Sequence, residues 1–156
     1  MTQPLTPCQI RVIAGLARGH LAARIGQDLG ISPRTVHNHI LRAAARAGLH
    51  GRPQPQLVDY AYRHGYLADL APEQRAPIFA LSARLAQTLD CLARGLSVNG
   101  IADELGVGRD TAHEYRRRLY RLLQARTRAH AVALGWQMEL LGRARPVPAR
   151  VGRAAA

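Results

Sequence analysis

Arg34, His37, Asn38, Leu41 and Arg42 fall three or four residues apart, so a helix would line them up on one side. As a set they suit the edges of base pairs. A guanidinium donates two hydrogen bonds to guanine, an asparagine amide bonds bidentately to adenine, and a leucine can touch a thymine methyl. Ser32 and Thr35 stand at the start of the same stretch, where hydroxyls and helix N–H groups can hold phosphates. Capping of the helix accounts for these two equally well. Further along, Arg109, Thr111, His113, Arg117, Arg118 and Arg121 form a second, more basic set, for which phosphate or base contact is favoured over a merely solvated charged face. Protonation of His37 or His113 would add charge near phosphates, which allows a pH-dependent contact. No metal is expected, because His37 and His39, two residues apart, point in different directions on a helix. No Ser/His/Asp arrangement, paired carboxylates or phosphate-cradling glycine loop is convincingly placed, and Gly106–Gly108 reads as a turn. The chain is therefore expected to be no enzyme and to use no cofactor.

Such faces need helices held at a fixed angle, and the local signals supply them. Thr6-Pro7-Cys8-Gln9 combines a capping threonine, a proline suited to the first helical position and a glutamine able to close a capping box. Ile10, Ile13, Leu16 and Ala17 follow at helical spacing, and Gly19 ends the helix. A short second helix over 21–29 carries Ala22, Ile25 and Leu29 on one face, and Gly30 supplies a left-handed turn. Ser32-Pro33 then opens a third helix, with Val36, Ile40, Ala43 and Ala47 inward and Gly48 as its stop. A fourth helix is expected over 56–63. Two short helices joined by a glycine turn, the second opened by a serine cap, form a helix-turn-helix. Gly26 and its counterpart Ala102 sit where a large side chain would push neighbouring segments apart.

The pattern occurs twice. Leu5–His37 aligns with Leu81–His113 at an offset of 76 without a gap, with ten identities that include Leu16/Leu92, Ala17/Ala93, Arg18/Arg94, Gly19/Gly95, Gly30/Gly106 and His37/His113. The register holds to Arg52/Arg128. The first copy then carries two extra residues, so that Gln56-Leu57-Val58 corresponds to His130-Ala131-Val132. A period this long fits a duplicated small domain rather than most solenoids. The expected organisation is a first module at 1–67, a linker at 68–80, a second module at 81–141 and a basic, disordered tail at 142–156. The linker holds two prolines and little net charge, with Ile78 and Phe79 able to pack on a neighbour.

The second copy diverges at its third helix, 109–124. Gly108 replaces the capping serine, Glu114 places an acid near expected phosphates, and Arg116 stands where the first copy has the apolar Ile40. Ala112, Tyr115, Leu119 and Leu122 would provide the inward stripe after a small rotation.

Composition agrees with an acidic partner and helical modules. The net charge is +12, with 22 arginines and no lysine. Guanidinium recognition of phosphate and guanine explains the arginines, and codon usage in a GC-rich genome explains the missing lysine equally well. Charge is spread as +5 over 1–70, +3 over 80–141 and +4 over the tail. Aromatic residues are scarce, so the core must come from Leu, Ile, Val and Ala. Cys8 and Cys91 are too far apart in sequence and too few to suggest a ligand cluster. No apolar run is long enough to span a bilayer, and the N-terminus lacks the pattern of a secretory signal, so no membrane partner and a cytoplasmic location are expected.

The segment from Leu5 to Arg52 resembles the LuxR/GerE-type helix-turn-helix domain, which also occurs in NarL- and FixJ-like response regulators. Its matching residues are Leu5-Thr6-Pro7, Ala17-Arg18-Gly19, Leu29-Gly30-Ile31-Ser32 and Thr35-Val36-His37-Asn38-His39-Ile40. The second copy resembles it through Ala93-Arg94-Gly95-Leu96-Ser97, Ile101–Val107 and Arg128–Val132. The resemblance implies an all-α chain of two tandem four-helix modules, each with its third helix in the major groove. It also implies dimerisation through the fourth helices, at Leu57, Val58 and Ala61 in the first copy and Ala131 and Val132 in the second.

Two functions compete. One is a sequence-specific regulator of transcription on double-stranded DNA, its modules paired within the chain or each paired with another chain in a homodimer. The other is an adaptor contacting RNA polymerase, a sigma factor or another regulator, in which only the first module binds DNA.

Overall fold

The computed structural model describes residues 2–78 and 80–142, and among them eight helices form two successive groups of four. The first group is α1 (Pro7–Ala17), α2 (Ala22–Leu29), α3 (Pro33–Ala47) and α4 (Pro53–Arg63). The second is α5 (Ala83–Ala93), α6 (Val98–Leu105), α7 (Arg109–Leu123) and α8 (Arg128–Gln137). The chain is all-helical in this range. No described helix is long and apolar enough to cross a membrane. The expected tail lies outside the described residues from 143 onward, as does Phe79.

Local chemistry sets the helix ends. Thr6 accepts from the Gln9 N–H at 3.3 Å while the Gln9 side chain accepts from the Thr6 N–H at 2.9 Å, closing the capping box. Ser32 accepts from the Thr35 N–H at 3.1 Å. Ser82, Ser97 and Thr127 cap α5, α6 and α8 in the same way, whereas Gly108 leaves α7 without a side-chain cap. Gly30 and Gly106 end α2 and α6 in the left-handed region, at φ 69° and 64°, where a side chain is strained. Helix α4 begins at Pro53, three residues before the expected Gln56. Pro53 and Pro55 both fall in its first turn, where the missing N–H groups have no intrahelical partner to lose.

The inward stripe of α3 is Val36, Ile40, Ala43 and Ala47 as expected. That of α7 differs: Ala112, Leu119 and Leu123 are buried, Tyr115 is half-buried, and Leu122 is 46% exposed. The helix keeps the register of α3 instead of rotating. Leucines at 119 and 123 stand where α3 has alanines, and they fill the core that Ile40 fills in the first module.

The two groups pack on each other, and α8 lies at the centre. It contacts α5 and α7 of its own group and α1 and α4 of the other. Every residue from Ala129 to Gly135 is buried. A helix covered on all sides can have no polar face, and Ala-His-Ala-Val-Ala-Leu-Gly has none beyond one histidine. Contacts across the boundary come in exchanged pairs. α4 meets α8, α1 meets α8, and the repeat-equivalent α5 meets α4. The Arg94 carbonyl at the end of α5 accepts from Gln56 Nε2 at 2.9 Å, and the Arg18 carbonyl at the end of α1 accepts from Arg126 Nη2 at 3.2 Å. A Cβ on Gly95 would lie 2.6 Å from the Gln56 side chain, and one on Gly19 would lie 2.7 Å from the His130 ring. Gly19 and Gly95 are repeat partners, as are Gln56 and His130. Between them Tyr62 and Trp136, equivalent by the same register, stack at 5.8 Å with an interplanar angle of 5°. Trp136 Nε1 donates to Asp59 at 2.9 Å, Gln137 donates to the Tyr62 hydroxyl at 2.9 Å, and the Arg63 guanidinium lies 5.4 Å from the indole centroid.

The segment between the groups is anchored at two charges. Glu73 donates its N–H to the Gln137 side chain at 2.9 Å, and its carboxylate meets Arg75 at 2.7 Å and His130 Nε2 at 3.1 Å. Arg75 in turn donates to the Leu123 and Gln124 carbonyls at the end of α7, and the Arg18 guanidinium donates to the Ala71 carbonyl. His130 Nδ1 accepts the Arg126 N–H at 3.1 Å, so the neutral tautomer carries its proton on Nε2 and donates it to Glu73. Burial holds the His130 imidazolium below its ordinary 6.5, although Glu73 pulls the other way. Burial alone would raise the Glu73 carboxyl, but the bonds from Arg75 and His130 outweigh it and keep it below 4.5.

Gly19→Ala and Gly95→Ala should each destabilise the protein by about 2 kcal/mol, since each adds a left-handed alanine and a clash with the other module. Thermal unfolding of the pair checks this, and equal losses are the expected result. The His130 and Glu73 shifts have the same stability sign, because both groups have lowered values when folded. Their contribution is complete above pH 6.5 and declines below it, first through His130 and then, below 4.5, through Glu73. The melting temperature should fall with pH in that order, and His130→Gln should flatten the upper part of the profile.

Candidate nucleic-acid interface

On α3 the buried stripe leaves Arg34, His37, Asn38, Leu41 and Arg42 exposed on the other side. Leu41 is 49% exposed, an apolar group with no core partner on a basic face. Ser32 is exposed but occupied as the cap, its Oγ lying 2.9 Å from Thr35 Oγ1. The half-buried His39 turns away from this face and meets Cys8 Sγ at 3.5 Å. Hydrogen bonding within the helix start thus uses the two hydroxyls, while the side chains suited to base edges make no hydrogen bond to another described residue.

On α7 the corresponding surface is more charged and more self-occupied. Arg109, Thr111, Arg117, Arg118 and Arg121 are exposed. Three of the arginines converge on Glu114, at 3.5 Å from Arg117, 3.1 Å from Arg118 and 3.4 Å from Arg121. Glu114 occupies the position equivalent to Asn38. Such exposed ion pairs contribute about 0–1 kcal/mol each, so they hold the guanidinium groups loosely. His113 is half-buried beside Arg116, whose Nη2 lies 3.3 Å from its Nδ1. Partial desolvation, followed by the charges of Arg116, Arg109 and Arg117, lowers its proton affinity.

The residues expected at the dimer contact are inside. Leu57, Val58 and Ala61 on α4 and Ala131 and Val132 on α8 are all fully buried. The two helices that carry them make the most extensive contact between the groups. Tyr62, Trp136, Gln56, His130 and Glu73 were not among the expected residues. The register that aligns Gln56 with His130 also aligns Tyr62 with Trp136, so two of these pairs were legible in the repeat. Among the described residues, no group of three or more His, Cys, Asp or Glu side chains gathers as a bound metal would need.

A family model described as bacterial regulatory proteins, luxR family, matches residues 3–61 and again residues 80–134. Neither a curated protein nor a solved structure matches the chain. The first matched stretch contains α1–α3 and most of α4, and the second contains α5–α7 and most of α8, each with an exposed third-helix face.

The His113 imidazole should titrate below 6.5 in the free protein, and Arg116→Ala should raise its midpoint. Side-chain NMR titration of the two proteins checks this. A midpoint unmoved by the substitution would exclude Arg116 as a source of the shift.

Proposed function

The chain belongs to the luxR family of bacterial regulatory proteins, a family of DNA-binding regulators, and we propose that it is a sequence-specific transcriptional regulator whose two modules act as a pseudo-dimer within one chain. The exchanged contacts across α4 and α8 carry this reading. An isologous dimer places the same two elements against each other reciprocally, and here two unlike copies of one module meet in that manner. The consequence is two recognition helices in a fixed relation with different chemistry. α3 offers Arg34, His37, Asn38, Leu41 and Arg42, for guanine, adenine and thymine edges. α7 offers Arg109, Thr111, His113, Arg117, Arg118 and Arg121, with Glu114 able to accept from a cytosine amino group. The operator is then asymmetric, and one chain fills it.

The ring of arginines around Glu114 and the uncapped start of α7 favour a second reading. In it the second module contacts another protein, such as RNA polymerase or a sigma factor, and only α3 reads DNA.

Selection of bound sequences from a random duplex library, with light scattering of the complex, tests the first reading. A non-palindromic motif with two unlike halves and one chain per site is expected, whereas a folded protein that enriches nothing overturns it. Replacing both Arg117 and Arg118 by Ala separates the two readings. If α7 lies on DNA, the slope of log affinity against log salt falls by about one unit for each phosphate no longer neutralised. Unchanged affinity and slope would leave only the first module on DNA.

A further inference from the structure

Arg52 and Arg128 are repeat partners, one at the start of α4 and the other at the start of α8. They stand between the two recognition helices and form shared walls of two neighbouring cavities. One, of about 390 Å³, opens beside α3 at His37 and Ile40. The other, of about 220 Å³, opens beside α7 and is lined by Arg52, Arg109, His113, Arg116 and Arg128. Asn99 and the capping Ser97 complete it from the first turn of α6, whose N-terminal N–H groups add partial positive charge.

No carboxylate lines this second cavity, and none lies within ion-pair distance of Arg52, Arg109, Arg116 or Arg128 among the described residues. Arg128 is half-buried and donates to the Leu96 carbonyl at 3.2 Å. Burial and then the Arg52 charge, with a smaller part from Arg116, depress its proton affinity. Elsewhere in the molecule convergent arginines surround an acid, as at Glu114 and Glu73. Here four line one cavity with no acid in its wall, Arg116 meeting only His113 and Arg128 only the Leu96 carbonyl, an arrangement that favours an anion. The position of Arg116 also explains a departure of the second copy. Its counterpart Ile40 is core, but the side chain at 116 is turned to the cavity, and Leu119 and Leu123 complete the core instead.

We propose that this cavity is a phosphate site for the DNA backbone, taken by the stretch of duplex that crosses between the two half-sites. This rests on the reading that both recognition helices lie on one DNA. A duplex lying along both helices must pass the residues between them, and those residues are Arg52 and Arg128. Arginine suits the role because its planar donors match phosphate oxygens in pairs. The two sides of the pair are unequal. The α3 cavity has Ile40, Pro53 and Pro55 in its wall, so the phosphate grip falls on the α7 side.

The test uses the full chain and its selected operator. Arg52→Gln and Arg128→Gln should each reduce the salt slope by about one unit and weaken all operators alike, while Arg52→Lys retains most of the slope. Neutral methylphosphonates at the central linkages should weaken the wild type about tenfold and have no further effect on the double variant. Circular dichroism confirms folding, and Arg52→Gln, at an exposed site, serves if Arg128→Gln unfolds. Unchanged slopes together with indifference to central methylphosphonates overturn the proposal. Pyrophosphate supplies the DNA-free arm. Stabilisation of the wild type by millimolar pyrophosphate, absent in the variants, supports the pocket. If it occurs without either DNA effect, the ligand is a free phosphorylated molecule and the DNA assignment is overturned. A wild type that binds no duplex fails the regulator reading and with it the DNA assignment, and pyrophosphate then decides whether the pocket takes phosphate at all.

Discussion

The burial of α8 on every side constrains the rest of the molecule. A helix of Ala, Val, Leu and Gly exposed on one face would present an apolar stripe to water, at a cost of about 25 cal/mol for each Å² left uncovered. α1 and α4 of the first module supply the cover, so the second module depends on the first for one wall of its core. From this follow the bare backbones at Gly19 and Gly95, where a Cβ would run into the buried His130 ring and the Gln56 side chain of the other module. It also gives Asp59 its role: the acid is held by Arg63 on its own helix at 2.8 Å and accepts the indole N–H from the other. Burying that N–H unpaired would cost about 1–3 kcal/mol. The interface is therefore a core with a few polar groups, most of them hydrogen-bonded and one, Gln56 Oε1, without a partner among the described residues, and the orientation of α3 to α7 is as rigid as that core.

The two halves solve the same packing problem with different residues. α3 uses Val36 and Ile40 with small alanines at 43 and 47; α7 uses a small alanine at 112 with leucines at 119 and 123. The large residues have moved toward the C-terminal end of the helix. That shift frees position 116 from the core, and an arginine can stand there without a buried charge. The cost appears at the other end, where Gly108 gives α7 no side-chain cap, a loss of a few tenths of a kcal/mol relative to serine.

Much of this was legible in the sequence because it is local. Caps such as Thr6 with Gln9, turn glycines and 3.6-residue stripes depend on neighbours within four positions, and the repeat doubles each signal. The exposed faces of α3 and α7 follow from the stripes by geometry. Most of what escaped depends on distant partners. Leu122 and Leu123 are both plausible stripe residues from spacing alone, and the repeat register, which aligns Leu123 with the inward Ala47, is the signal that would have chosen between them. Glu73 reads as one charge in a proline-containing connector, and its anchoring role needs His130, 57 residues away. The early start of α4 went unseen because Pro53 and Pro55 look like breakers unless both are recognised as first-turn residues.

Covalent connection changes what a paired helix-turn-helix can be. In a homodimer any substitution appears in both halves, and the two recognition surfaces stay identical. In one chain each half varies separately, which is how Asn38 can have Glu114 as its counterpart and Ile40 can have Arg116. Pairing is also intramolecular, so it persists at dilutions where a homodimer of similar interface would dissociate; the connector replaces a bimolecular association with an effective concentration set by its length. Here the connector goes further than tethering. Glu73 and Arg75 bond the first residue run after α4 to α8 and to the end of α7, so the connector itself forms part of the contact. The difference between the arginines of α3 and α7 is thus one that a symmetric pair of identical chains could not carry.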